Sequence, residues 1–154
     1  LFLKTNFFFN YIVCGHFVRR RTIWEAIKVT NNNFALLHAG DAARQELHDA
    51  LGLTGCAVSV NTLPAGAGIP FVHAHTKNEE VYGVLAGSGE LWLDGETHPV
   101  TKGDWFRISP AGKRALKAGA EGMSCICIQA KAGSLEGFTA TDGVLCEEKA
   151  PWMK

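Results

Sequence analysis

From Gly55 onward the chain is a succession of short runs in which apolar and polar residues alternate, each closed by glycine, proline or an acidic turn. Alternation over about four to eight residues marks a strand with one buried face. Cys56 to Leu63 is the first such run, ended by Pro64-Ala65-Gly66-Ala67-Gly68. Phe71 to His75 is a shorter one, and Glu80 to Leu85 follows, closed by Ala86-Gly87-Ser88-Gly89. Glu90 to Leu93 then meets Asp94-Gly95, a pair that suits a tight hairpin turn because both residues tolerate positive φ. Gly103-Asp104 opens a strand through Ile108 that stops at Pro110-Ala111-Gly112, and Met123 to Ala130 is the last clear strand.

Upstream the period changes. Ala43, Leu47, Ala50 and Leu51 recur at helical spacing, with Asp41 placed to cap and Gly52 to stop, which predicts one short helix before the strands. Thr22 to Leu37 holds two apolar stretches broken by Asn31-Asn32-Asn33 and reads as strand, turn, strand. Leu1 to Val18 is rich in phenylalanine but is interrupted by Lys4, Asn6, Asn10 and His16, and its basic triplet Arg19-Arg20-Arg21 comes after the apolar part. A secretory signal carries its charge first, and a membrane span needs about 20 nearly unbroken apolar residues. Residues 7–14 are therefore expected to form an extra strand, its phenylalanines covered by a partner subunit or the barrel wall. The tail from Gly133 has no strong period, yet Phe138, Val144, Leu145 and Trp152 suggest that it packs on the body. The expected organisation is one all-β domain over 22–154, its strand-rich core at about 55–130, preceded by an extension over 1–21.

Composition narrows the class without choosing a function. Lysine plus arginine and aspartate plus glutamate number 15 each, so no net field points to nucleic acid or an anionic membrane. Apolar residues at 47% and charged residues at 19% describe a globular chain rather than a disordered one. The 5 cysteines are odd in number and follow no regular framework, which favours a reducing, cytoplasmic setting. Cys125 and Cys127 alternate on one strand face and read as buried thiols that pack as small hydrophobes.

Chemistry concentrates at one place. His73 and His75 flank Ala74, so on an extended chain both imidazoles project to the same side, and Glu80 follows a polar turn. Such groups converge on a divalent cation at about 2.0–2.2 Å and leave coordination positions for a substrate. The segment GIPFVHAHTKNEEVYGVLAG, Gly68 through Gly87, resembles the first signature motif of the cupin superfamily, with His73, His75, Glu80 and Gly87 in matching order and spacing. Gly103-Asp104, a strand and Pro110-Ala111-Gly112 resemble the second motif with one residue inserted before the proline. The likeness covers residues 55–130 and implies a single jelly-roll β-barrel. The motif spacing prefers Glu80 to Glu79, and alternation sets Glu80, Tyr82 and Val84 on one inner face.

The resemblance also implies a divalent metal (iron, manganese, nickel or zinc), a small-molecule ligand and a homodimer. Metal-binding cupins usually take a further histidine from the second motif, and the matching position here is Ala115. Three readings stand open: a metal held by His73, His75 and Glu80 alone; a site completed by Gln129, Cys125 or Cys127; or a pocket without metal. Arg107, Lys113 and Arg114 lie by the second-motif strand, where they suit the carboxylate or phosphate of a ligand. Tyr82 is a candidate hydrogen-bond donor for catalysis. The functions in view are a metal-dependent oxygenase, isomerase or lyase, a metal-free binding or regulatory barrel, and a dimeric scaffold.

Overall fold

A computed structural model describes residues 33–40 and 42–154. The strand expected over 7–14, most of the strand, turn and strand over 22–37, and the Asp41 cap lie outside the described residues. The elements in chain order are β1 (Arg44–Glu46), α1 (His48–Leu51), β2 (Ala57–Leu63), β3 (Asn78–Leu93), β4 (Glu96–Thr101), β5 (Trp105–Ile108), β6 (Arg114–Lys131) and α2 (Thr139–Asp142). One antiparallel sheet runs β1-β2-β6-β3-β4, with β5 also hydrogen-bonded to β3. The all-β expectation holds.

The helix expected to span Ala43 to Leu51 is a single turn, and Arg44–Glu46 is a strand instead. Helical spacing lost there to the free edge of β2, where Arg44, Gln45 and Glu46 pair with Asn61, Val60 and Ser59. Gly52 does stop the turn, in the left-handed conformation at φ 65°. Phe71 to His75 is a connecting segment rather than a strand, held by one bridge between His73 and Arg114.

The glycines at 87 and 89 bend β3 rather than end it, so β3 is continuous over 16 residues. They lie where β3 and β6 press together: a Cβ on Gly87 would sit on the Gly122 carbonyl oxygen, and one on Gly89 on the Lys117 carbonyl oxygen. Gly87 also holds φ 71°. Opposite this bend, residues 119–122 of β6 face Ser88 alone, a large bulge that turns both strands and curves the sheet. Sequence alternation revealed only the second half of β6, because Ala115, Ala118 and Ala120 blur the contrast over its first half.

Inward positions of β3 and β6 supply the core: Tyr82, Val84, Leu91, Leu116, Cys125 and Cys127 are buried together. The expected hairpin turn is present, with Asp94 at φ 49° and Gly95 at φ 103°. The tail does not pack as expected. Phe138, Val144, Leu145 and Trp152 are 63%, 86%, 100% and 81% exposed. Among the described residues no helix is long and apolar enough to cross a membrane.

Candidate metal centre and barrel pocket

Alternation along β3 carries Glu80, Tyr82 and Val84 inward, leaving them 1%, 6% and 2% exposed. Glu79 faces the other way and pairs with Arg107 at 3.4 Å. His73 and His75 sit on the segment leading into β3, fixed by their backbones. The His73 N–H donates to the Arg114 carbonyl at 3.2 Å, the Arg114 N–H returns a bond to His73 at 2.9 Å, and the His75 N–H donates to Pro110 at 2.8 Å. The two imidazoles meet edge to face at 5.5 Å between centroids. One ligating atom from each of His73, His75 and Glu80 lies within 4.8 Å of the others.

The second-motif position holds a correction. On β6 the inward residues are Arg114, Leu116 and Ala118, so Ala115 faces away and Arg114 occupies the inner place. The residue inserted before Pro110 explains the offset, since counting from Gly103 without it reaches Arg114 rather than Ala115. Arg114 is 1% exposed. Its Nε and one terminal nitrogen lie 2.9 and 2.6 Å from Glu80 Oε2, and the other terminal nitrogen donates to the Gly112 carbonyl at 3.0 Å. A guanidinium cannot ligate a metal. Arg107 and Lys113 are exposed; the Arg107 side chain bonds Ser109 at 2.6 Å, and neither residue is among those lining the cavity beside this cluster.

These contacts set the protonation states. Burial pushes the Glu80 carboxyl up, but the bonds from His75 and Arg114, with the arginine's charge, hold it below its ordinary value. The His75 Nε2 is 2.9 Å from Glu80 Oε1. Burial, then the charge of Arg114, lowers His73, against a smaller opposing pull from Glu80. His73 Nδ1 is buried and has no hydrogen-bond partner. Burial raises the Tyr82 hydroxyl and pushes the Cys127 thiol up to about 11. Cys127 lies 3.8 Å from Glu80 Oε1, as a protonated donor rather than a ligating thiolate. An ionised carboxylate and two imidazoles, one of them with an orphaned buried nitrogen, fit a divalent cation with three protein ligands.

Beside this cluster opens a cavity of about 780 Å³. His73, Glu80, Tyr82 and Gln129 are among the polar residues that line it, and Leu63, Ile69, Phe71 and Leu116 among the apolar ones. Cys125 also lines it. Tyr82 is held there by stacking on Phe106, 5.2 Å between centroids.

Comparison with known proteins agrees with the architecture. Residues 59–128 match the family model of the cupin domain. The crystal structure of a cupin protein from Bacteroides fragilis is 52% identical, with 75% of this chain and 99% of that one covered and a TM-score of 0.72. A putative sugar phosphate isomerase from Acidithiobacillus ferrooxidans is 26% identical over 57% of this chain and 58% of its own, at a TM-score of 0.52. A Cupin 2 conserved barrel domain protein from Salinispora arenicola, 20% identical over 58% of this chain and 75% of its own, shares the fold at a TM-score of 0.52. No curated protein matches the sequence. The curved antiparallel sheet, the inward His73, His75 and Glu80, and this likeness over nearly the whole of the Bacteroides protein make the chain a member of the cupin superfamily.

Proposed function

We propose that the barrel holds a divalent metal on His73, His75 and Glu80 and acts on a small molecule in the adjoining cavity as an oxygenase, isomerase or lyase. The observation that carries this reading is His73: a buried imidazole nitrogen without a partner, set among two other donors. A bound ion of this kind polarises a substrate oxygen or activates water. The chain's own groups do the rest. Glu80 stays anionic because Arg114 neutralises it from behind. Tyr82 keeps its proton and serves as a donor, Gln129 orients the ligand, and the apolar wall excludes water.

Metal content by mass spectrometry on tag-free protein tests this, before and after reconstitution with iron(II), manganese(II), nickel(II) and zinc(II). Near-stoichiometric metal that disappears in a His73→Ala, His75→Ala double variant is the expected result. No metal in either preparation would sink the metalloenzyme reading.

One observation favours a second reading, a metal-free binding barrel. Arg114 already neutralises Glu80 in a fully buried ion pair, so a divalent cation would add charge where none is left to balance. The likeness to a sugar phosphate isomerase brings a third class of ligand, a phosphorylated sugar, into consideration.

A further inference from the structure

The cavity separates these ligand classes by its charges and its walls. A phosphate needs a free cation or a fan of backbone N–H groups to replace its hydration. Among the described residues lining the cavity the only arginine or lysine is Arg44, whose half-exposed guanidinium is paired with Glu46 and Asn61. Nε donates to Glu46 Oε1 at 2.7 Å, and another nitrogen donates to Asn61 Oδ1 at 2.7 Å. Arg114 stands behind Glu80 with its nitrogens turned to that carboxylate and to backbone carbonyls. Glu80 and Arg114 balance each other in a buried pair, and Arg114 is not among the residues lining the cavity, so this cluster presents no positive charge to an anion.

What the cavity does offer is apolar wall and neutral hydrogen-bonding groups. Leu63, Pro64, Ile69, Pro70, Phe71 and Leu116 line it, and Phe71, 55% exposed, belongs to the connecting segment between β2 and β3. The buried His73 Nδ1 has no partner, and Tyr82 and Gln129, whose side chains also reach the Cys127 sulfur, carry hydrogen-bonding groups on the same lining. A space of about 780 Å³ admits a molecule of one or two fused rings with substituents.

We infer that the ligand is an uncharged, largely apolar molecule of ring-system size bearing one hydroxyl or carbonyl head, and not a phosphorylated sugar. Its head sits among His73, Tyr82 and Gln129, and its body lies on the wall from Ile69 through Phe71 to Leu116. The inference deepens the reading of this pocket as a small-molecule site and rests on it; His73 Nδ1 accepts from the head only in metal-free protein, and with an ion on that nitrogen Tyr82 and Gln129 alone hold the head.

Calorimetric titration tests it on full-length protein, once chelator-treated and once reconstituted with zinc(II) or manganese(II). The probes are 2-naphthol, thymol and indole-3-carbinol as neutral ring alcohols, 2-naphthoate as an anion of the same body, and fructose 6-phosphate. Saturable binding of at least one neutral probe, at least tenfold tighter than 2-naphthoate in the chelated protein and uncompeted by fructose 6-phosphate, is expected. Phe71→Ala, at an exposed position that folding does not depend on, should weaken that binding at least fivefold. Leu116→Trp, which fills the cavity, should abolish it. Binding of fructose 6-phosphate in preference to the neutral probes, binding of none of the neutral probes, or neutral binding indifferent to both substitutions would each overturn the inference. Metal content is read separately: loss of the metal reading leaves these titrations interpretable in the chelated protein, and a preference for the sugar phosphate in metal-loaded protein sinks the ligand class with the metal centre intact.

Discussion

Arg114 is the residue on which the character of the site turns. Its guanidinium is permanently charged, so it fixes Glu80 as a carboxylate and takes the inner place at which other cupins offer a ligand. Removing one partner of a buried pair strands the other charge, at a cost of about 3–5 kcal/mol. Arg114→His is therefore expected to lower the thermal stability of chelator-treated protein while raising its affinity for zinc(II) at least tenfold, because a third imidazole, the fourth ligand, replaces a competing cation. Chelator competition and thermal unfolding, each with and without zinc(II), read the two effects. Lower stability without a gain in affinity would mean that position 114 does not reach the metal.

Among the elements, the paired long strands β3 and β6 carry the barrel, and they bend together at glycines of unequal importance. Gly87 holds a positive φ and its missing Cβ leaves room for the Gly122 carbonyl, neither of which a side chain can accommodate without moving backbone. Left-handed backbone costs about 1–3 kcal/mol in a residue with a side chain. Gly87→Ala should lower the melting temperature by at least about 4 °C. Gly83 makes the contrast. A Cβ there meets the Trp105 ring at 2.5 Å, but Trp105 is 61% exposed and its ring can swing outward. Gly83→Ala should cost less than Gly87→Ala, because an exposed ring rather than backbone has to give way. Equal losses in the two variants, measured by thermal unfolding, would show that the bend at Gly87 is not what closes the wall.

At the scale of the whole molecule, the described tail adds exposed apolar residues rather than core. Leu135, Phe138, Val144, Leu145 and Trp152 all stand clear of the body. Deleting residues 135–154 is expected to change monomer stability by less than about 0.5 kcal/mol, as surface changes usually do. If sedimentation shows the full chain to be a dimer and the deletion a monomer, the tail is the cover for a second copy; a large loss of stability at unchanged mass would contradict both expectations. The sequence by itself determined the all-β class, the Asp94-Gly95 hairpin, the inward run of Glu80, Tyr82 and Val84, and the grouping of His73, His75 and Glu80. All of these follow from alternation and local spacing, which the pleat of a strand converts directly into sidedness. Only the tertiary structure decided the rest. The edge of β2 overrode the helical spacing at Arg44–Glu46, and β6 drew Gly87 and Gly89 into a continuous bent strand. A one-residue insertion turned Arg114 inward in place of Ala115, a choice of face that motif counting from Gly112 misses and strand register settles. Long-range hydrogen bonding and burial fix register across tens of residues, and no local pattern contains that information.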